Sequence, residues 1–178
     1  MITRDELLDL LKSTETYRVE KTISTTNMDK FCEAICAFAN DMPNSKKKGY
    51  LLLGVNDDGS RCGLKATDEL LLKLSAIRTD GNILPLPVMS VDYIPFEDGD
   101  VIVVEVVPSI LPPVRYRGRT FIRISARKDI ATREEEDILV ERRSANFPTF
   151  DTTPCPEATL DDIDTELITR TYLPRAIN

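Results

Sequence analysis

Five arginines and one lysine fall between positions 115 and 128 with no acid among them, in a chain of 178 residues whose net charge is −7. They are Arg115, Arg117, Arg119, Arg123, Arg127 and Lys128. Each planar guanidinium can donate two parallel hydrogen bonds to one oxyanion, so a row of them suits phosphate oxygens. Arg115, Arg117 and Arg119 alternate, and alternate residues of an extended chain share one face. Tyr116, Phe121 and Ile122 sit between the cations, which predicts an ordered strand and not a loose basic tail. The strip points to a polyanionic partner. The competing reading is an edge strand kept from aggregating by its charges, for which one or two would suffice. Arg123, flanked by Phe121, Ile122 and Ile124, has a further option as the internal partner of a core carboxylate. Lys46, Lys47 and Lys48 form a second cationic run, which either extends an electrostatic groove or is a solvated loop.

Other chemistry is narrowed by what the chain does not contain. It has no histidine, which removes Ser-His-Asp and Cys-His hydrolysis and any imidazole base. Cys32, Cys36, Cys62 and Cys155 are scattered and read as structural thiols; a zinc site would need more ligands. The segment 54–63 lacks the Lys-Ser/Thr pair of a phosphate-cradling glycine loop. No organic cofactor is expected. No apolar run approaches the length of about 20 residues that crosses a bilayer, and residues 1–6 lack the apolar core of a signal peptide. A cytoplasmic protein without a membrane partner is the expectation.

The elements that must position these residues follow from local pattern. Thr3 and Glu6 make a capping box for a first helix, with Leu7, Leu8, Leu10 and Leu11 as its apolar stripe. Residues 17–24 alternate as a strand, with Val19 and Ile23 on one side and Glu20 and Thr22 on the other. Residues 28–40 form a second helix burying Phe31, Ile35, Phe38 and Ala39, with Asn40 as its cap or as a polar anchor for nearby backbone. Residues 49–55 are a near-continuous apolar run, the mark of a strand buried on both faces. A third helix spans 67–79, a hairpin joins strands 88–94 and 101–107, a strand covers 120–124, and a helix capped by Thr132 covers 132–143. The expected fold is α/β (α+β): one mixed β-sheet packed with helices over residues 1–145. Residues 146–178 carry −4 of the charge, as a proline-containing linker and an acidic helix over 160–172.

Four pieces occur together in order. They are Val19-Glu20-Lys21, the helix end from Ile35 to Asn40, the run from Gly49 to Gly59, and the run from Pro113 to Ser125. In this arrangement the chain resembles the Schlafen-type Alba-like domain found in many bacterial regulators, over residues 15–143 or so. The resemblance implies a nucleic-acid-binding domain (DNA or RNA) of a transcriptional regulator, followed by a downstream region of a longer chain. It also implies an alternative. Animal Schlafen relatives cut RNA with three acids, and Glu15, Glu20 and Asp57 or Asp58 occupy the matching positions. Such a set would hold Mg²⁺ or Mn²⁺, hard cations that choose carboxylate oxygens, and Lys21 would then reach the scissile phosphate. The chain departs from the family pattern in three places. No aromatic separates Glu20 from Lys21, the loop 41–48 is longer and more basic, and Ser125-Ala126 replaces a Gly-Ser pair. A third use of the same surface is a homodimerisation or scaffold module, with the acidic tail laid against the arginine strip.

Overall fold

The computed structural model describes residues 2–146 and 154–176. These fall into two units, Met1–Asn146 and Phe147–Asn178.

In the first unit, α1 (Arg4–Lys12) starts where Thr3 and Glu6 cap each other reciprocally and buries Leu7 and Leu11. Strand β1 (Val19–Thr22) pairs in parallel with β2 (Gly49–Leu53), β2 pairs antiparallel with β5 (Val101–Val107), and β5 with β4 (Val88–Ile94). The order β1-β2-β5-β4 is the expected mixed sheet. Helix α2 (Met28–Asn40) is capped by Asn27 and ends at Asp41 in the left-handed conformation. Helix α3 (Asp68–Ala76) is capped by Thr67.

The apolar run of β2 is explained by its two faces. Leu51 and Leu53 join Phe31, Ile35, Phe38, Ile102, Val104 and Val106 under α2. Leu52 joins Leu7, Leu11, Val19, Val101 and Val103 under α1. A two-residue period thus feeds two cores, and polar residues have no room on either face. Nine of the thirteen residues of α2 are buried, because the sheet covers one side and strand β7 (Phe121–Ile124) the other. Burial raises the Cys32 thiol to about 11 and the Cys36 thiol to about 12, so both stay protonated as packing groups.

Two short ladders complete this unit. β3 (Ile83–Leu84) pairs with β6 (Arg115–Tyr116), and β7 pairs with β8 (Arg127–Ile130); β3, β6 and β8 carry too little periodicity to be read from sequence. Asn40 joins them to α2. Its amide donates to the carbonyls of Val114 (2.9 Å) and Phe121 (2.8 Å), and its side-chain oxygen accepts from Val114 N–H (2.7 Å). Helix α4 (Arg133–Asn146) follows.

The expected extended strand through Arg115, Arg117 and Arg119 is not formed. β6 is two residues long, and the chain reverses at Arg117-Gly118. Tyr116 and Arg119 exchange both backbone hydrogen bonds at 2.9 Å, and φ is 46° at Arg117 and 77° at Gly118. Positive φ at both central residues marks the mirror-image turn that suits a tight hairpin, and Gly118 makes it accessible. The three arginines therefore surround a turn and do not line one face of a strand.

In the second unit the expected single helix over 160–172 is divided. It is a 3₁₀ turn at Leu160–Asp162, α5 (Thr165–Leu167) capped by Asp164, a π turn at Ile168–Tyr172, and α6 (Leu173–Ala176). The expected linker over 145–157 lies mostly outside the described residues. No helix among the described residues is long and apolar enough to cross a membrane.

Candidate nucleic-acid interface

The ladder β3–β6 and the Arg117-Gly118 turn line an open groove of about 490 Å³. Its wall includes Asn82, Leu84, Arg115, Arg117, Gly118 and Arg143, and no described residue lining it is acidic. The Asn82 carbonyl accepts from Arg117 N–H at 2.8 Å, which fixes the base of the turn. The Arg117 side chain is 60% exposed and its guanidinium lies 5.1 Å from the centre of the Tyr116 ring. Arg119 is exposed and makes no ion pair among the described residues. A shallow, cationic, partly apolar groove can take an oxyanion from its open side.

Two acids stand behind the arginines. Asp29, in the first turn of α2, lies 3.3 Å from Arg117 Nη1 and accepts the Tyr116 hydroxyl at 2.6 Å. Burial, and then the bond to Asp29, push the Tyr116 hydroxyl far above its ordinary value, so it remains a donor. Glu136, on α4, lies 3.2 Å from Arg115 Nη2 and accepts the Thr120 hydroxyl. The Thr120 bond, followed by Arg115, holds the Glu136 carboxyl below the ordinary range.

Arg123 lies elsewhere. Its side chain is 2% exposed and bonds Glu20, reaches Glu15 at 3.5 Å, and donates to the carbonyls of Thr16 (3.0 Å) and Val19 (3.2 Å). Its guanidinium also lies 5.6 Å from the Phe38 ring centre. The internal-partner option is thus the geometry observed: Arg123 fastens β7 to the start of β1. Lys128 supports the same joint, 3.0 Å from Glu33 and 3.9 Å from Glu20. Lys21 is 5% exposed and donates to the carbonyls of Leu11 (2.8 Å) and Ser13 (2.6 Å), so its ammonium caps the end of α1. Arg127 is 84% exposed and pairs with Asp129 at 3.1 Å. The turn before it places its positive φ, 56°, on Ser125, so serine takes the conformation that a glycine would adopt more readily.

In the lysine loop, Lys48 is tied to Glu105 at 2.7 Å, and this hydrogen bond raises its pKa. Lys46 and Lys47 are exposed. Lys46 belongs to another cleft, shared with Arg142. Of the acids, Glu15 and Glu20 meet on Arg123. Asp57 and Asp58 stay exposed in the turn after β2, where Asp58 accepts from Ser60 N–H at 2.8 Å. Among the described residues no group of three or more acids or cysteines is placed to hold a metal ion. Sequence reasoning overlooked Arg143, Asp29 and Glu136. Gly118 directly after Arg117 was the available signal for the turn; nothing local announces the three side chains that the tertiary fold brings to it.

The sequence model of the family described as Schlafen, AlbA_2 matches residues 15–132. The chain belongs to this family. The match spans β1 to β8 and ends just before α4, so Asp29 and the turn lie within it and Glu136 and Arg143 beyond it. Among solved structures, the chain is similar to the N-terminal domain of a RecG-related protein from Nitrosomonas europaea, at 23% identity and a TM-score of 0.49, covering 75% of this chain and 94% of that one. It is also similar to the DIP2311 protein of Corynebacterium diphtheriae, at 17% identity and a TM-score of 0.51, covering 95% of this chain and 33% of that one. The chain thus spans about a third of the DIP2311 protein, and the likeness is one of fold. No curated protein matches the sequence.

Proposed function

We propose that this Schlafen, AlbA_2 domain is the nucleic-acid-binding module of a transcriptional regulator, gripping the phosphate backbone at the Arg117-Gly118 turn. The observation that carries this reading is the turn itself. In a chain of net charge −7 it brings Arg115, Arg117 and Arg143 to a groove with no described acid in its lining, with exposed Arg119 on the far side of the turn. Membership of the family supports it. Binding of this kind needs no metal and no organic cofactor. Exposed Lys46, Lys47 and Arg127 add long-range attraction, whereas Arg123, Lys128 and Lys21 act by holding the fold that carries the turn. Glu15 and Glu20 are engaged by Arg123, which favours binding over carboxylate-metal chemistry at that place.

The test is binding of duplex DNA and of structured RNA as a function of salt. Phosphate contacts release counterions, so the logarithm of affinity should fall linearly with the logarithm of salt. The double variant Arg117→Ala, Arg119→Ala should bind more weakly and lose about 0.9 from the slope for each contact removed. Affinity indifferent to ionic strength, or a double variant that binds like the parent, would overturn the proposal.

A further inference from the structure

Asp29 and Glu136 share an arrangement that a simple anion groove does not need. Each carboxylate accepts from a hydroxyl fixed in the fold and touches a surface arginine, Asp29 through Oδ1 for both and Glu136 through Oε1 and Oε2 respectively. Tyr116, which holds Asp29, is 5% exposed, and Thr120, which holds Glu136, is 1% exposed. The arginine side chains are 60% exposed for Arg117 and 41% for Arg115, and the carboxylates beside them 62% for Asp29 and 33% for Glu136. Each acid keeps a buried hydroxyl donor when its arginine turns away. A phosphate oxygen that takes either guanidinium therefore replaces a carboxylate that stays nearby.

Resting on the phosphate-binding reading above, we infer that Asp29 and Glu136 are built-in competitors for the two arginines, and that they make the groove select polyanions over isolated phosphates. A single phosphate gains one guanidinium, meets a fixed like charge beside it, and releases few counterions. A nucleic-acid backbone engages Arg119, Arg117, Arg115 and Arg143 together, and the counterions it releases offset the displaced acids. Because Asp29 comes from α2 and Glu136 from α4, the two act independently on neighbouring arginines. Exposed ion pairs are weak, so the competition tunes affinity without closing the groove.

Asp29→Asn and Glu136→Gln test this cleanly, since an amide oxygen still accepts the Tyr116 or Thr120 hydroxyl while the charge is removed. Each variant should bind duplex DNA about two- to fivefold more tightly at fixed salt. Inorganic phosphate and a nucleoside monophosphate should compete with DNA more effectively on the variants than on the parent. Asp137→Asn, which removes an exposed charge next to Glu136 with no arginine contact among the described residues, should leave affinity unchanged. Thermal midpoints measured alongside identify any variant whose fold has changed, and the two sites give independent answers. If the parent binds with the expected salt dependence and neither variant tightens, or Asp137→Asn tightens equally, the competitor role is wrong and the binding reading stands. If parent and variants all fail to bind at low salt, both readings fall.

Discussion

Arg123 separates a fold-holding arginine from a ligand-holding one, and Arg123→Met measures the difference. Methionine keeps an apolar stem beside Phe38 and removes the guanidinium. The change strands the Glu15 and Glu20 carboxylates and the carbonyls of Thr16 and Val19. Breaking a buried ion pair by deleting one partner costs about 3–5 kcal/mol. The side chains of Glu15 and Glu20 are 30% and 19% exposed and recover part of their hydration, which places the loss at the lower end, about 3 kcal/mol. For a domain of this size each kcal/mol moves the midpoint by about 2–4 °C, so thermal unfolding should shift down by about 6–12 °C. Urea unfolding should report the same loss with an unchanged slope. Arg119→Met, exposed and without an ion pair among the described residues, should leave the midpoint within about 1 °C and weaken nucleic-acid binding. A midpoint for Arg123→Met within about 2 °C of the parent, combined with lost binding, would refute the fold-holding role and return Arg123 to the interface.

Two further outcomes follow from the same geometry. Asn40→Ala leaves the buried amide and carbonyl of Val114 and the carbonyl of Phe121 without their side-chain partner, so a loss of about 2–4 kcal/mol is expected by urea unfolding; a loss under about 1 kcal/mol would show that these groups find other partners. Glu136 has a folded pKa held below its ordinary 4.5, so its contribution to stability is complete above that value and is lost as pH falls through the folded pKa. The parent should therefore lose thermal stability more steeply than Glu136→Gln below about pH 4.5, and identical acid profiles would contradict the assignment.

The long elements were legible because one period governed each. The helix over 28–40 and the strands 88–94 and 101–107 occur at the expected positions, since amphipathic spacing and a Glu97-Asp98-Gly99-Asp100 turn left little choice. The family was legible for a similar reason: its four pieces are backbone-forming segments. The arginine strip misled because alternation was given more weight than Gly118, whose freedom at positive φ lets the chain reverse. Lys21 shares the inward side of β1 with Val19, which the period implied, but that its ammonium would cap α1 depended on where that helix ended in space. The partners of Arg115 and Arg117 come from positions 136 and 29, and no local pattern connects them.

Arg117 occupies a position that the local backbone would fill differently. At φ 46° an arginine sits where the left-handed conformation costs an L-residue with a full side chain about 1–2 kcal/mol, and where glycine or asparagine would rest more easily. The turn is consequently a point of opposing selection. Variants enriched for heat resistance alone should drift to Asn or Gly at this position, while variants enriched for polyanion capture should return to Arg. The residue identity at one hairpin tip would then report which pressure a lineage has been under.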